Sequence, residues 1–191
     1  MKKAFLFLFL FFLAASISNA QYGNEYNNRI GVGLEVALPQ GDWSDAYNTG
    51  FGATGRFEMP FAANIIGMVT AGYLSFGGDE QESGGVTASY SASAIPVMAG
   101  VKYYLSPGVY GMTEVGFHFL SIDVETSGFE TDFGNFGGFS GSESETKIGL
   151  GIGAGYELPL NMSTMLDFAI SYKLIADFNY LNFRAGIKLA I

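Results

Sequence analysis

The feature that most limits how this chain can fold is a two-residue alternation of apolar and polar side chains that the charges also obey. Ile30, Val32, Leu34, Val36 and Leu38 take one phase, while Arg29, Gly31, Gly33, Glu35 and Ala37 take the other. Period two marks a β-strand whose two faces meet different surroundings. The pattern returns over 51–59, 95–104, 109–119, 147–157, 166–173 and 181–191. One further segment, 65–76, is apolar on both phases, and sequence does not orient it. Together these segments predict eight strands.

The charges decide which face is which. Arg29, Glu35, Arg56, Glu58, Lys102, Glu114, Lys147, Glu157, Asp167, Lys173, Arg184 and Lys188 lie in these strands, all on the phase opposite the apolar residues. His118, the only histidine, shares that phase. Seven of the twelve are basic and five acidic, so the charged phase is nearly neutral. It is also the glycine phase, as Gly149, Gly151, Gly153 and Gly155 illustrate. Buried charges must be paired, and the lumen of a narrow barrel is filled by side chains. A soluble sandwich also alternates, with its apolar face inward. Glycine and balanced charge on one phase favour the inverse, with that phase inside and the apolar phase in lipid. The expected architecture is an all-β, eight-stranded antiparallel up-and-down transmembrane β-barrel. Its interior charge network is expected to hold the twelve charged residues and His118.

The N-terminus fits an exported chain. Lys2 and Lys3 precede an apolar run over 4–15, with small residues at Ser18 and Ala20. This reads as a signal peptide over 1–20, followed by a barrel domain over 21–191. The run is about 12 residues, whereas a spanning helix needs roughly 20. There is no cysteine, which excludes disulfides, thiolate metal sites and a lipid-modified cysteine. Beyond Lys2 and Lys3, seven basic residues face 18 acidic ones, a net charge of −11. That balance argues against nucleic acid as a partner, since phosphate binding needs a basic face.

The connections alternate in length. Those over 39–49, 77–86 and 122–145 are long; those over 60–64, 106–108 and 159–161 are short, and only 174–178 is short on the long-loop side. Long loops outside and tight periplasmic turns are the habit of outer-membrane barrels. The long-loop side also collects Asp42, Asp45, Asp79, Glu80, Glu82, Asp123, Glu125, Glu130, Asp132, Glu143, Glu145 and Asp177. The loop over 122–145 is rich in Gly, Ser, Phe and acid, which predicts a mobile loop rather than a packed lid.

The segments GVGLEVALP at 31–39, GDWSDAY at 41–47, IPVMAGVKYY at 95–104, GIGAGYEL at 151–158 and the closing strand 181–191 resemble the small outer-membrane β-barrel domain family, the OmpA-like and OmpX-like barrels of Gram-negative envelopes. The last residue, Ile191, stands where such barrels commonly carry an aromatic read by the barrel-insertion machinery. The resemblance implies a cell outer membrane location, with loops extracellular and termini periplasmic. It implies contact with outer-membrane lipid and lipopolysaccharide, and a structural or envelope-integrity role with loops offered for surface interaction or adhesion. It brings no catalytic residue, cofactor or metal, and does not identify a surface ligand.

Four rival readings meet the same residues. Gly149 to Gly155 repeat at spacing two inside a strand, whereas a dinucleotide fingerprint spaces its third glycine by three and opens a helix. Gly41-Asp42-Trp43 matches the start of lipocalins, but here it follows a strand, and a soluble carrier needs an apolar lumen. His118 and Glu114 share a face, yet an outer-membrane lipid-modifying enzyme needs a nucleophile beside its base, and Ser121 is on the other phase. The main alternative function is a narrow pore or small-solute channel, and eight strands leave little room for an open lumen.

Overall fold

Alternation becomes extended chain along most of the computed structural model, which describes residues 27–78, 81–83, 86–126, 129–131, 134–136 and 139–191, with side chains over 27–78, 91–124 and 141–191. The signal peptide expected over 1–20 lies outside the described residues. Eight long strands follow one another: β1 (Arg29–Gln40), β2 (Tyr47–Ala62), β3 (Ile65–Gly78), β4 (Val86–Ser106), β5 (Val109–Thr126), β6 (Phe139–Pro159), β7 (Thr164–Leu174) and β8 (Asn179–Ala190). Each pairs antiparallel with its chain neighbours, and β8 returns to pair with β1. Closure leaves no unpaired edge for lipid to face, which is the condition for strands to cross a bilayer.

The register fixes the shape of the tube. From Ile65 on β3 the partners run through Tyr103, Gly111, Ala154, Ile170, Phe183, Val36 and Phe51, and return to β3 at Ser75. One circuit therefore advances by about ten residues. With eight strands this shear sets a tilt of about 40° and a backbone radius of about 8 Å. Such a tube has room for side chains and little else.

The outward phase carries Val32, Leu34, Phe51, Ile148 and Ile152, all exposed, while Glu35, Arg56, Lys102 and Asp167 are buried. Strand β3, apolar on both phases, is oriented by its neighbours. Ile66, Met68, Thr70, Leu74 and Phe76 point inward, and Ile65, Val69 and Tyr73 outward. Its inward apolar residues exist because the lumen is not charged along its whole length.

Two loop boundaries are corrected. In place of a loop over 122–145, β5 continues to Thr126 and β6 begins at Phe139, with a small hairpin of Phe129–Thr131 and Gly134–Phe136 between them. The side chains of Phe129, Phe133, Phe136 and Phe139 lie outside the described ones. In place of much of 77–86, the strand Gln81–Ser83 pairs with the start of β4. The outward residues of these extensions are polar: Ser93 pairs with Ser121, Ser121 with Ser144, and Asp123 with Ser142. Hydropathy alternation records lipid on one face, so it ends where lipid ends, although the strand goes on.

Tight connections close the other end. Gly108 takes φ +78 after Ser106 and Pro107, a backbone state glycine adopts without a Cβ clash, and its carbonyl accepts from Glu157 N at 2.8 Å. Asn161 Oδ1 accepts from Ser163 N and Thr164 N, each at 2.9 Å, and so folds the β6–β7 turn.

The outward assignment has a direct consequence. Ile152→Arg sets a charge near the middle of the apolar face and is expected to cost about 2–4 kcal/mol, against little for Ser142→Arg on the extension. Urea titration of folding into lipid vesicles measures both. Equal stabilities would contradict the assignment.

Candidate functional site

The register brings charges from separate strands face to face inside the tube. Glu35 lies opposite Arg184 across β1 and β8, and Arg29 opposite Glu58 across β1 and β2. Glu157 and Asp167 are also opposite one another, across β6 and β7. Two adjacent carboxylates need cations from other strands, and Lys188 on the neighbouring β8 and Lys102 on β4 supply them. Glycine gives these long side chains their path: a Cβ on Gly33 would stand 2.7 Å from Arg184 Cζ.

The charges form three connected layers. Nearest the short turns, Lys102 Nζ meets Glu58 at 2.5 Å and Glu157 at 3.1 Å. Lys188 bridges Glu58 and Glu157, and Arg29 reaches Glu157 at 3.5 Å. In the middle, Asp167 accepts from Arg184 Nη1 at 2.5 Å, Arg56 Nη1 at 3.4 Å and the Tyr110 hydroxyl at 2.6 Å. Lys102 Nζ also sits 4.2 Å from the centre of the Tyr110 ring, within cation–π range. Above this, Thr54 donates to Glu35 at 2.6 Å and accepts from Arg184 Nε at 3.1 Å. Asn182 donates to the other Glu35 oxygen at 2.9 Å, and Lys173 pairs with Glu114.

Arg29, Glu35, Arg56, Glu58, Lys102, Glu114, His118, Glu157, Asp167, Lys173, Arg184 and Lys188 are all buried. Lys147 is not among them. Its side chain is 27% exposed and pairs with Glu145 at 3.0 Å and Asp177 at 3.9 Å at the long-loop rim. It keeps the inward phase but stands above the lattice, where β6 has outrun β7. His118 Nε2 lies 3.1 Å from the Tyr180 hydroxyl, and Glu114 is engaged by Lys173. Among the described residues no cluster of His, Asp and Glu is arranged to hold a metal.

Over the lattice sits an apolar plug that alternation does not reveal. Ile175, Phe178 and Tyr180 are buried with Leu74, Phe76 and Leu120, and small wall residues Ala37, Ala92 and Ala94 make room for them. Trp43 closes the group from the 3-10 turn Gly41–Asp45. Its rings stack on Tyr47 at 4.2 Å and meet Phe178 edge-on at 3.7 Å. Ile175 and Phe178 belong to a segment that reads as loop, and only its apolar content hints at a buried role. Beneath the plug, a cavity of about 10 Å³ is bordered by Glu35, Thr54, Arg56, Thr70, Asn182 and Arg184, space for about one water. This arrangement holds charge in place.

A closed, lipid-facing barrel of eight strands with a filled lumen defines a class, the small outer-membrane barrels. The sequence matches the outer membrane protein beta-barrel domain family over residues 7–189, and the chain belongs to that family. Solved structures share the fold. Ail, the attachment invasion locus protein of Yersinia pestis, in complex with the heparin analogue sucrose octasulfate, matches with a TM-score of 0.57 at 14% identity, covering 87% of this chain and 100% of that one. A major outer membrane protein from Thermus thermophilus gives 0.55 at 14% identity, with 86% and 99% covered. Neisserial surface protein A gives 0.53 at 12%, with 86% and 97% covered. No curated protein matches the sequence.

The lattice predicts unequal losses. Asp167→Ala leaves Arg184 and Arg56 facing each other without their shared anion, and should cost about 3–5 kcal/mol. Lys147→Ala removes a rim pair worth about 1 kcal/mol or less. Denaturant unfolding of the two variants checks this, and similar small shifts would contradict a connected interior.

Proposed function

We propose that this chain is an outer-membrane anchor that carries an acidic projection outside the cell for contact with a basic partner surface. The observation that carries the reading is how charge is sorted between inside and outside. Of the seven basic residues beyond residue 20, six are buried in the lumen. The seventh, Lys147, is tied to two acids. Asp42, Asp45, Glu143, Glu145 and Asp177 are exposed at the long-loop end. Strands β4, β5 and β6 carry that end past the apolar belt as a paired sheet.

The family's habit of short periplasmic turns supports placing the termini in the periplasm and this end outside. The filled interior supports an anchor rather than a channel. The charge sorting also sets this chain apart from Ail with its sulfated ligand. A polyanion needs exposed cations, and among the described residues the exterior has only Lys147, already paired. Lipopolysaccharide phosphates likewise meet no free exterior cation. A surface of basic side chains is the complementary partner.

Purified barrel in neutral phosphatidylcholine vesicles tests the reading with two probes, polylysine-coated beads and sulfated dextran beads. Retention on polylysine alone is expected, falling steeply with salt. A variant carrying Asp42→Asn, Asp45→Asn, Glu143→Gln, Glu145→Gln and Asp177→Asn should lose most retention while keeping heat-modifiable migration. Retention on sulfated dextran, or an unchanged variant, would overturn the proposal.

A further inference from the structure

The two ends of the apolar belt finish differently. Towards the long loops the outward residues turn from apolar to hydroxyl on four neighbouring strands. The change falls between Tyr73 and Ser75 on β3, Ile95 and Ser93 on β4, Phe119 and Ser121 on β5, and Ile148 and Thr146 on β6. Towards the short turns β2, β4 and β6 stay apolar on the outward phase, and only β7 starts with a hydroxyl there, Thr164. Phe61 is 62% exposed, Leu105 69% and Leu160 53%, and Met162 at the tip of the β6–β7 turn is 98% exposed. The three short turns contain no charged residue. Among the described residues, the charged side chains nearest that end, Arg29, Glu58 and Glu157, all point into the lumen.

Height connects the two ends. Ser75 lies about ten residues above Ile65, and a rise of about 3.3 Å per residue at a tilt of about 40° gives about 25 Å. That is the full height of the apolar band in barrels of this kind, about 25 Å. If hydrocarbon begins below the hydroxyl residues, it ends at the turns, with no strand left over to lift them into water. The turn tips therefore fall at the headgroup layer; they are uncharged, and beside the polar Asn64, Ser106, Asn161 and Ser163 they present Phe61, Leu105, Leu160 and Met162.

We infer that the short-turn end is a lipid anchor, with Phe61, Leu105, Leu160 and Met162 seated among the headgroups and first acyl carbons of the leaflet on that side. The occupant of this surface is the phospholipid leaflet itself, continuous with the lipid already around the belt. Seating at this end fixes the height of the barrel, and so how far β4, β5 and β6 stand clear on the other side.

The chain has no cysteine, so single labelling sites are simple to introduce. Met162→Cys and Leu105→Cys, with Ser142→Cys as the aqueous control, are labelled with an environment-sensitive fluorophore. The barrels are inserted into phosphatidylcholine vesicles, with heat-modifiable migration reporting folding. Quenching is read with phosphatidylcholine brominated near the headgroup, and with iodide on both sides of the bilayer. Blue-shifted emission and loss of fluorescence to bromolipid at 162 and 105, with iodide acting mainly at 142, is the expected result. Iodide quenching at 162 equal to that at 142 would overturn the inference. So would insensitivity to both quenchers, which would mean that a second copy covers the turn.

Discussion

Eleven charged side chains share the inside of a tube about 8 Å in radius, and the rest of the structure answers to that fact. Charges taken out of water are tolerated only when paired and hydrogen-bonded. Pairing sets the composition, with Arg29, Arg56, Lys102, Lys173, Arg184 and Lys188 against Glu35, Glu58, Glu114, Glu157 and Asp167. Space sets the rest. Glycine at wall positions such as Gly33 leaves Arg184 room to cross, so the charged face and the glycine face are one. Thr54 and Tyr110 serve the lattice as polar links, each with a partner in place.

Much of this is legible in the sequence because one periodicity carries two messages. Alternation places Glu35 and Arg184 on one side of their strands, and charge says which side avoids lipid. What alternation does not show has a physical reason in each case. Strand β3 reads apolar on both faces because Leu74 and Phe76 turn inward to the plug. The extensions of β5 and β6 read as loop because both their faces leave lipid, and a polar strand in water has no hydropathy rhythm. Lys147 keeps the inward phase, but phase carries no height, and at its height the tube has opened to solvent. The plug is contributed by Trp43 and Phe178, which sit in non-repeating segments where periodicity says nothing.

The same sorting of charge links the inside to the outside. Placing the cations in the lumen leaves the exterior to acids and hydroxyls, and the sheet that rises past the belt inherits that character. A barrel of this kind separates its tasks by height. On the proposals made above, the short turns hold one end and an acidic sheet stands clear at the other, while a neutral belt spans between them and a lattice and a plug fill the lumen. The family supplies the membrane setting, while the sign of the projecting surface is a property of these particular residues.

The central claim is that the lattice and plug seal the lumen. Single-channel recording of the purified, refolded barrel in planar bilayers tests it most directly. The account predicts a silent membrane, without stable conductance steps at moderate voltage. Reproducible steps from the intact chain would contradict it, because ions would then be crossing the charged lattice and the plug.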